Sequence, residues 1–173
     1  MGGMFKQYFE TGKNIIMKPA EFFKTMPVTG GYKDPLIFAL ITSVIMGLGL
    51  TVITLGVGFL AIIFAPIAVS ISVFLAALLL LVCAKMVGGT GTYEATMRVA
   101  SYANIVNVIG WIPIVSIIGS IYGLWLTVVG IREIHKLTLS KAIIAVLIAI
   151  AIVFVIVVLL AIIGIGITGY IPR

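Results

Sequence analysis

The sequence predicts an all-α polytopic membrane bundle of five transmembrane helices, preceded by an N-terminal interfacial amphipathic helix. Composition is the first reason: of 173 residues 62% are hydrophobic and 9% charged, with a mean hydropathy of +1.35. A globular domain is roughly half apolar and about a quarter charged. The second reason is that Asp, Glu, Lys and Arg are absent from Pro35 to Ala84, from Val99 to Ile131 and from Ala142 to Pro172, runs of 50, 33 and 31 residues. These features exclude a water-soluble enzyme, a disordered tail and a nucleic-acid binder. The net charge of +6 sits on short segments between the apolar runs.

Residues 1–34 read as a cytoplasmic segment and residues 35–173 as the membrane domain. Met4, Phe5, Tyr8, Phe9, Gly12, Ile15 and Ile16 recur at helical spacing, with Lys6, Gln7, Glu10, Lys13 and Asn14 between them. Such an amphipathic helix can lie in the lipid interface with its lysines near anionic headgroups, or it can pack on the cytoplasmic ends of the spans. Pro19 opens a second short helix that Met26-Pro27 ends, and Thr29-Gly30-Gly31 loops toward Asp34-Pro35. Phe22 and Phe23 are expected to dip into the interface. Phe5, Phe9, Phe22 and Phe23, with Lys6, Lys13 and Lys24, are therefore the candidates for lipid or partner contact. The first 33 residues hold five lysines and no continuous apolar core of signal-peptide length, so the N-terminus is expected to stay in the cytoplasm.

A span needs about 20 residues. The first charge-free run is thus two spans, Leu36 to Leu55 and Pro66 to Val87, with Gly56 to Ala65 turning between them and Pro66 at a helix start. The middle run would make one helix about 50 Å long or two short ones. Gly110-Trp111-Ile112-Pro113 near its centre favours a turn between Val99 to Ile109 and Pro113 to Ile131, and a re-entrant hairpin fits as well. The last span begins after Ser140 as N-cap and runs through Ile163. With five spans, ten of the eleven basic residues share one side and only Arg173 lies on the other. The positive-inside rule makes the basic side cytoplasmic and puts the C-terminus opposite.

The loop Lys85 to Arg98 carries three glycines, with Thr90 and Thr92 set among them. It reads as a connection in which Thr92 or Thr90 caps the next helix and Glu94 pairs with Arg98 one turn on. Across the chain stand, in order, Asp34-Pro35, Gly88-Gly89-Thr90-Gly91-Thr92-Tyr93, Ser101-Tyr102-Ala103, Trp111-Ile112-Pro113 and Gly130-Ile131-Arg132-Glu133-Ile134-His135. This ordered set resembles the Yip domain family of Ypt- and Rab-interacting multi-span proteins, from about Pro19 to Ile163. The N-terminal part is similar to the shorter prokaryotic form. The resemblance implies a five-span bundle with a cytoplasmic N-terminus and, for eukaryotic members, roles in vesicle traffic, GTPase contact and membrane shaping.

No ionisable residue falls inside an expected span, which disfavours a coupled transporter. Arg98, Ser101, Asn104 and Asn107 share one face of the third span. They make either interhelical hydrogen bonds or a polar pathway. Gly119 and Gly123, with Ser116 and Ser120, form a small-residue stripe that lets a helix approach closely, within the chain or from a second copy. Gly164-Ile165-Gly166-Ile167-Thr168-Gly169 matches a dinucleotide pattern by letters only, with no strand before it, and reads as the fraying end of the last helix. Cys83 is a small buried hydrophobe, and His135 reads as a solvated or interfacial loop residue. One histidine beside one carboxylate is too few for a metal site, so no metal, cofactor or catalytic residue is expected.

The expected function is accordingly non-catalytic: a scaffold or membrane-organising protein acting through its cytoplasmic face. Its expected partners are the lipid bilayer, anionic lipids among them, a cytoplasmic protein and a second copy, with no nucleic acid. The alternative is a channel or facilitator for a small ion or solute along the third span.

Overall fold

The computed structural model describes residues 2–169, and side chains from Gly3 to Ile163 apart from Met4. Helix α1 spans Gly2–Met17 and α2 Pro19–Thr25. Proline at the first position, Glu21 in the first turn and Lys24 in the last suit the short α2. Helix α3, Lys33–Ile53, follows a loop in which Gly30 and Gly31 take positive φ.

The α3–α4 reversal is tighter than expected. Leu55 and Gly56 turn the chain with φ of 51° and 95°, a 3₁₀ turn Val57–Leu60 follows, and α4 runs Ala61–Met86. Pro66 therefore lies inside α4 rather than at its start. A membrane helix tolerates this because neighbouring side chains and helices compensate the lost N–H, and the Ser70 hydroxyl binds the Pro66 carbonyl at 2.8 Å. Gly47 sets α3 close to α4: a Cβ there would stand 3.0 Å from the Ala61 and Ile62 backbone.

Helix α5, Tyr93–Ala103, is capped by Thr92, whose hydroxyl accepts from the Ala95 N–H at 3.3 Å. It continues as a 3₁₀ segment, Asn104–Ile109, and α6, Pro113–His135, follows with proline at its first turn. Helix α7 is Leu139–Gly169. Its N-terminal hydroxyl is that of Thr138, which accepts from the Lys141 N–H, so Ser140 lies within the first turn. The glycines at 164–169 continue α7 instead of ending it. Tyr170 and Arg173 lie outside the described residues.

Among the described residues, four segments are long and apolar enough to cross a membrane: Lys33–Ile53, Val57–Met86, Pro113–His135 and Leu139–Ile163. The expected third span is not among them. That expected span, Val99 to Ile109, falls within a longer segment, Tyr93–Ala103 followed by Asn104–Ile109, which extends about 28 Å because 3₁₀ geometry rises about 2.0 Å per residue. The two ends of this segment sit at opposite ends of the bundle. Thr90, just before it, bonds the carbonyl of His135 at the close of α6, and Trp111, just after it, lies against Gly49 near the close of α3. The core is concentrated where α4, α5, α6 and the start of α7 meet, around Cys83, Val99, Leu126, Ile131 and Ala145.

Candidate functional site

His135 is fully buried, which corrects the solvated loop residue expected from the sequence. The glycine-rich loop is wrapped around its ring. The Gly91 N–H donates to Nδ1 at 3.1 Å, and Nε2 lies 2.8 Å from the Thr96 hydroxyl. Thr96 spends its own proton on the Thr92 carbonyl at 2.8 Å, so the hydroxyl accepts and the ring is the neutral Nε2–H tautomer. The Thr90 N–H and hydroxyl both bind the His135 carbonyl. A Cβ on Gly89 or Gly91 would come within 3.0 Å of the ring. The loop is thus more than a connection: its glycines are the space the imidazole occupies. The sequence signal was a lone histidine at a helix end together with a loop richer in glycine than a turn requires.

Arg98 is 3% exposed. Its Nη2 donates to the Gly31 carbonyl at 2.7 Å and meets Glu94 at 3.4 Å, and the Gly31 N–H donates to the same carboxylate at 2.6 Å. Together they clamp the α2–α3 loop to α5, and the buried Nε has no partner. The four polar residues expected on one path are divided by these contacts. Ser101 is buried with its hydroxyl on the Met97 sulfur at 3.5 Å. Only Asn104 and Asn107 reach a cavity, of about 270 Å³, which Ser72, Ser120 and Thr127 also line. The Asn107 amide donates to Asn104 Oδ1 at 2.6 Å, and the Asn104 amide to the Ala100 carbonyl at 3.0 Å.

Gly119 and Gly123 are placed against the 3₁₀ segment of the same chain. A Cβ on Gly123 would stand 2.9 Å from the Val106 side chain, and one on Gly119 3.6 Å from the Val106 carbonyl. Ser116 and Ser120 bond back to carbonyls of their own helix, those of Pro113 and Ser116.

Helix α1 lies across the bundle, touching three elements in turn. Tyr8 shares a 2.9 Å hydrogen bond with Thr42 of α3, Gly12 meets Ile105 of the 3₁₀ segment, and the Tyr122 hydroxyl of α6 donates to the Ile16 carbonyl at 2.7 Å. Burial pushes the Tyr8 phenol pKa up, against a smaller lowering by Thr42. Phe5 and Phe9 are exposed, the latter 66%, as are Lys6, Lys13 and Lys24. Phe22 is half-buried, edge-on to Phe23 and Tyr102 at 5.3 Å. Phe23 is 1% exposed, in the core beside Gly130. It is therefore removed from the candidates for lipid contact, because α2 turns that side inward against α6.

The two edges of α1 border unlike spaces. On one edge Gln7 and Thr11 face a cleft of about 270 Å³ shared with Lys33, Asp34 and Tyr102. On the other, Phe9, Gly12 and Ile16 border an apolar groove of about 440 Å³ floored by Ile105, Ile118 and Gly119. Among the described residues no three His, Cys, Asp or Glu side chains converge to hold a metal ion.

No curated protein and no solved structure matches the chain significantly. The profile of the Yip1 domain matches residues 13–162. With that match over most of its length and four apolar helices able to cross a bilayer, the chain is an integral multi-pass membrane protein that belongs to the Yip1 domain family.

Proposed function

We propose that this protein is a non-catalytic scaffold that organises its membrane through the α1–α2 face, with α1 lying at the bilayer surface. One observation supports the reading: α1 separates a cleft of mixed lining, where Gln7, Thr11, Lys33 and Asp34 stand beside Ile37, Phe38 and Ile41, from an almost wholly apolar groove, an asymmetry suited to an interfacial helix. Its exposed Phe5 and Phe9 would enter the acyl boundary while Lys6 and Lys13 meet headgroups. The placement of Thr90 and Trp111 at opposite ends of the bundle supports a fifth crossing by residues 93–109. An odd number of crossings and the clustering of basic residues support a cytoplasmic N-terminus with the C-terminus opposite.

The test is Phe5→Ser combined with Phe9→Ser in reconstituted vesicles, with a fluorophore at position 6 reporting depth and labelled protein reporting lateral organisation. Phe23 is left intact, since truncating a buried phenylalanine costs about 3–5 kcal/mol and would report on folding. The double change is expected to raise the fluorophore into water and disperse the protein in the membrane plane. Unchanged depth and unchanged clustering would sink the reading.

A second reading, a channel or facilitator, draws on the cavity that Asn104 and Asn107 share with Ser72, Ser120 and Thr127. Flux of small ions and neutral solutes into proteoliposomes, abolished by Asn104→Leu with Asn107→Leu, would favour it. Flux no greater than that of empty liposomes would remove it.

A further inference from the structure

The groove under α1 is a built space and more than a gap between helices. Gly119 in its floor carries no side chain, and Gly12 in its roof packs so closely that a Cβ there would stand 3.0 Å from Ile105. The Tyr122 hydroxyl pins the Ile16 carbonyl and so fixes α1 over α6. The groove surface is almost entirely apolar, yet a lysine, Lys13, borders it. Lys13 is exposed, and among the described residues no carboxylate lies within ion-pair distance of it, while the neighbouring cation Lys18 is paired with Glu21 at 3.3 Å. An apolar slot with one free cation at its edge is complementary to a molecule that joins a hydrocarbon chain to an anion.

We propose that this groove seats one acyl chain of an anionic phospholipid taken from the surrounding bilayer, with Lys13 holding the lipid phosphate. The proposal deepens the reading of α1 as an interfacial helix and rests on it, since only a helix at the headgroup level puts Lys13 within reach of a phosphate while the groove below lies among acyl chains. A lysine is suited to this contact, being a compact charge on a flexible stem that can follow a mobile headgroup. Phe9 and Ile118, both exposed at the groove, would continue its apolar surface into the surrounding lipid.

The full chain is purified in detergent, stripped of lipid and titrated with phosphatidylglycerol or phosphatidylcholine of the same chain length, with bound lipid counted by native mass spectrometry. Wild type is expected to retain one phosphatidylglycerol in preference to phosphatidylcholine. Gly119→Leu fills the floor, and its Cβ meets only ordinary contacts at 3.6 to 3.9 Å. It is expected to weaken retention of either lipid by about tenfold or more. Lys13→Gln is expected to lower the preference for phosphatidylglycerol by about fivefold and leave phosphatidylcholine unchanged. Equal retention by Gly119→Leu, or equal affinity of wild type for both lipids, would overturn the proposal.

A phosphatidylglycerol with a photoreactive acyl chain gives an answer that needs no variant. Crosslinks to Ile105, Gly12 or Gly119 support the seat. Crosslinks confined to α4 and α7, or crosslinks joining two copies of the chain through the groove, exclude it. The outcomes separate from those of the broader reading: a loss of depth and clustering in the Phe5 and Phe9 variant together with normal lipid retention by Gly119→Leu removes the seat alone. Lost retention in Gly119→Leu with a raised fluorophore but unchanged clustering in the Phe5 and Phe9 variant removes the organising role alone.

Discussion

His135 shows how a single side chain can set the shape of a loop. Both of its ring nitrogens and its carbonyl are engaged by residues 90, 91 and 96. The glycines at 89 and 91 are needed because the ring stands where their side chains would be. Gly91→Ala is therefore expected to destabilise the fold by about 1–3 kcal/mol, the usual cost of overpacking a closed site. Thermal unfolding in detergent measures it, and an unchanged midpoint would show that the loop yields. By contrast, removing the exposed Lys18–Glu21 pair should cost no more than about 1 kcal/mol. The burial of His135 was not legible in the sequence. Hydropathy treats a histidine between Ile134 and Lys136 as part of a charged loop, and the partners that satisfy it come from a segment some 40 positions away, which no local pattern records.

Elements were legible wherever one residue class dominated. The charge-free runs located α3, α4, α6 and α7, and of the two candidate caps, Thr90 and Thr92, it is Thr92 that opens α5 at Tyr93, six residues before the expected span. Pro66 misled because proline marks a helix start in water, whereas a membrane helix accommodates it inside. The aromatic pair Phe22-Phe23 misled because adjacent residues on a helix point about 100° apart, so one can meet the core while its neighbour faces outward. The Arg98 clamp joins two elements through a loop backbone, a contact invisible to periodicity. Arg98→Ala should free the Gly31 carbonyl and weaken the hold on the Gly31 N–H. Faster amide exchange over residues 28–32, with α3 unaffected, is the expected result. Exchange unchanged in that loop would mean the clamp carries no load.

At the scale of the whole molecule, the sequence conveyed class and family, while the lie of α1 across the bundle emerged only from tertiary contacts. Topology can be measured directly with Cys83→Ser as background, Cys83 being buried in α4. Leu55→Cys at the α3–α4 turn, where the residue is 94% exposed, and Lys136→Cys at the α6–α7 turn should label from opposite sides of sealed vesicles. Labelling from one side would refute the odd number of crossings.

The position of α1 has a mechanical consequence. It touches α3 at Thr42 and α6 at Tyr122, leaving about 17 Å of α3 and about 14 Å of α6 beyond it. On the flank of α7, exposed apolar residues extend from Ile143 to Ile163, about 30 Å and a full hydrocarbon thickness. Were α1 to lie at the headgroups as proposed, the protein would be a wedge in thickness, matched to an ordinary bilayer along one side and to a much thinner one along the other. Lipid would then have to thin or tilt beside α1 to meet it, and each molecule would carry a permanent local dent in the membrane.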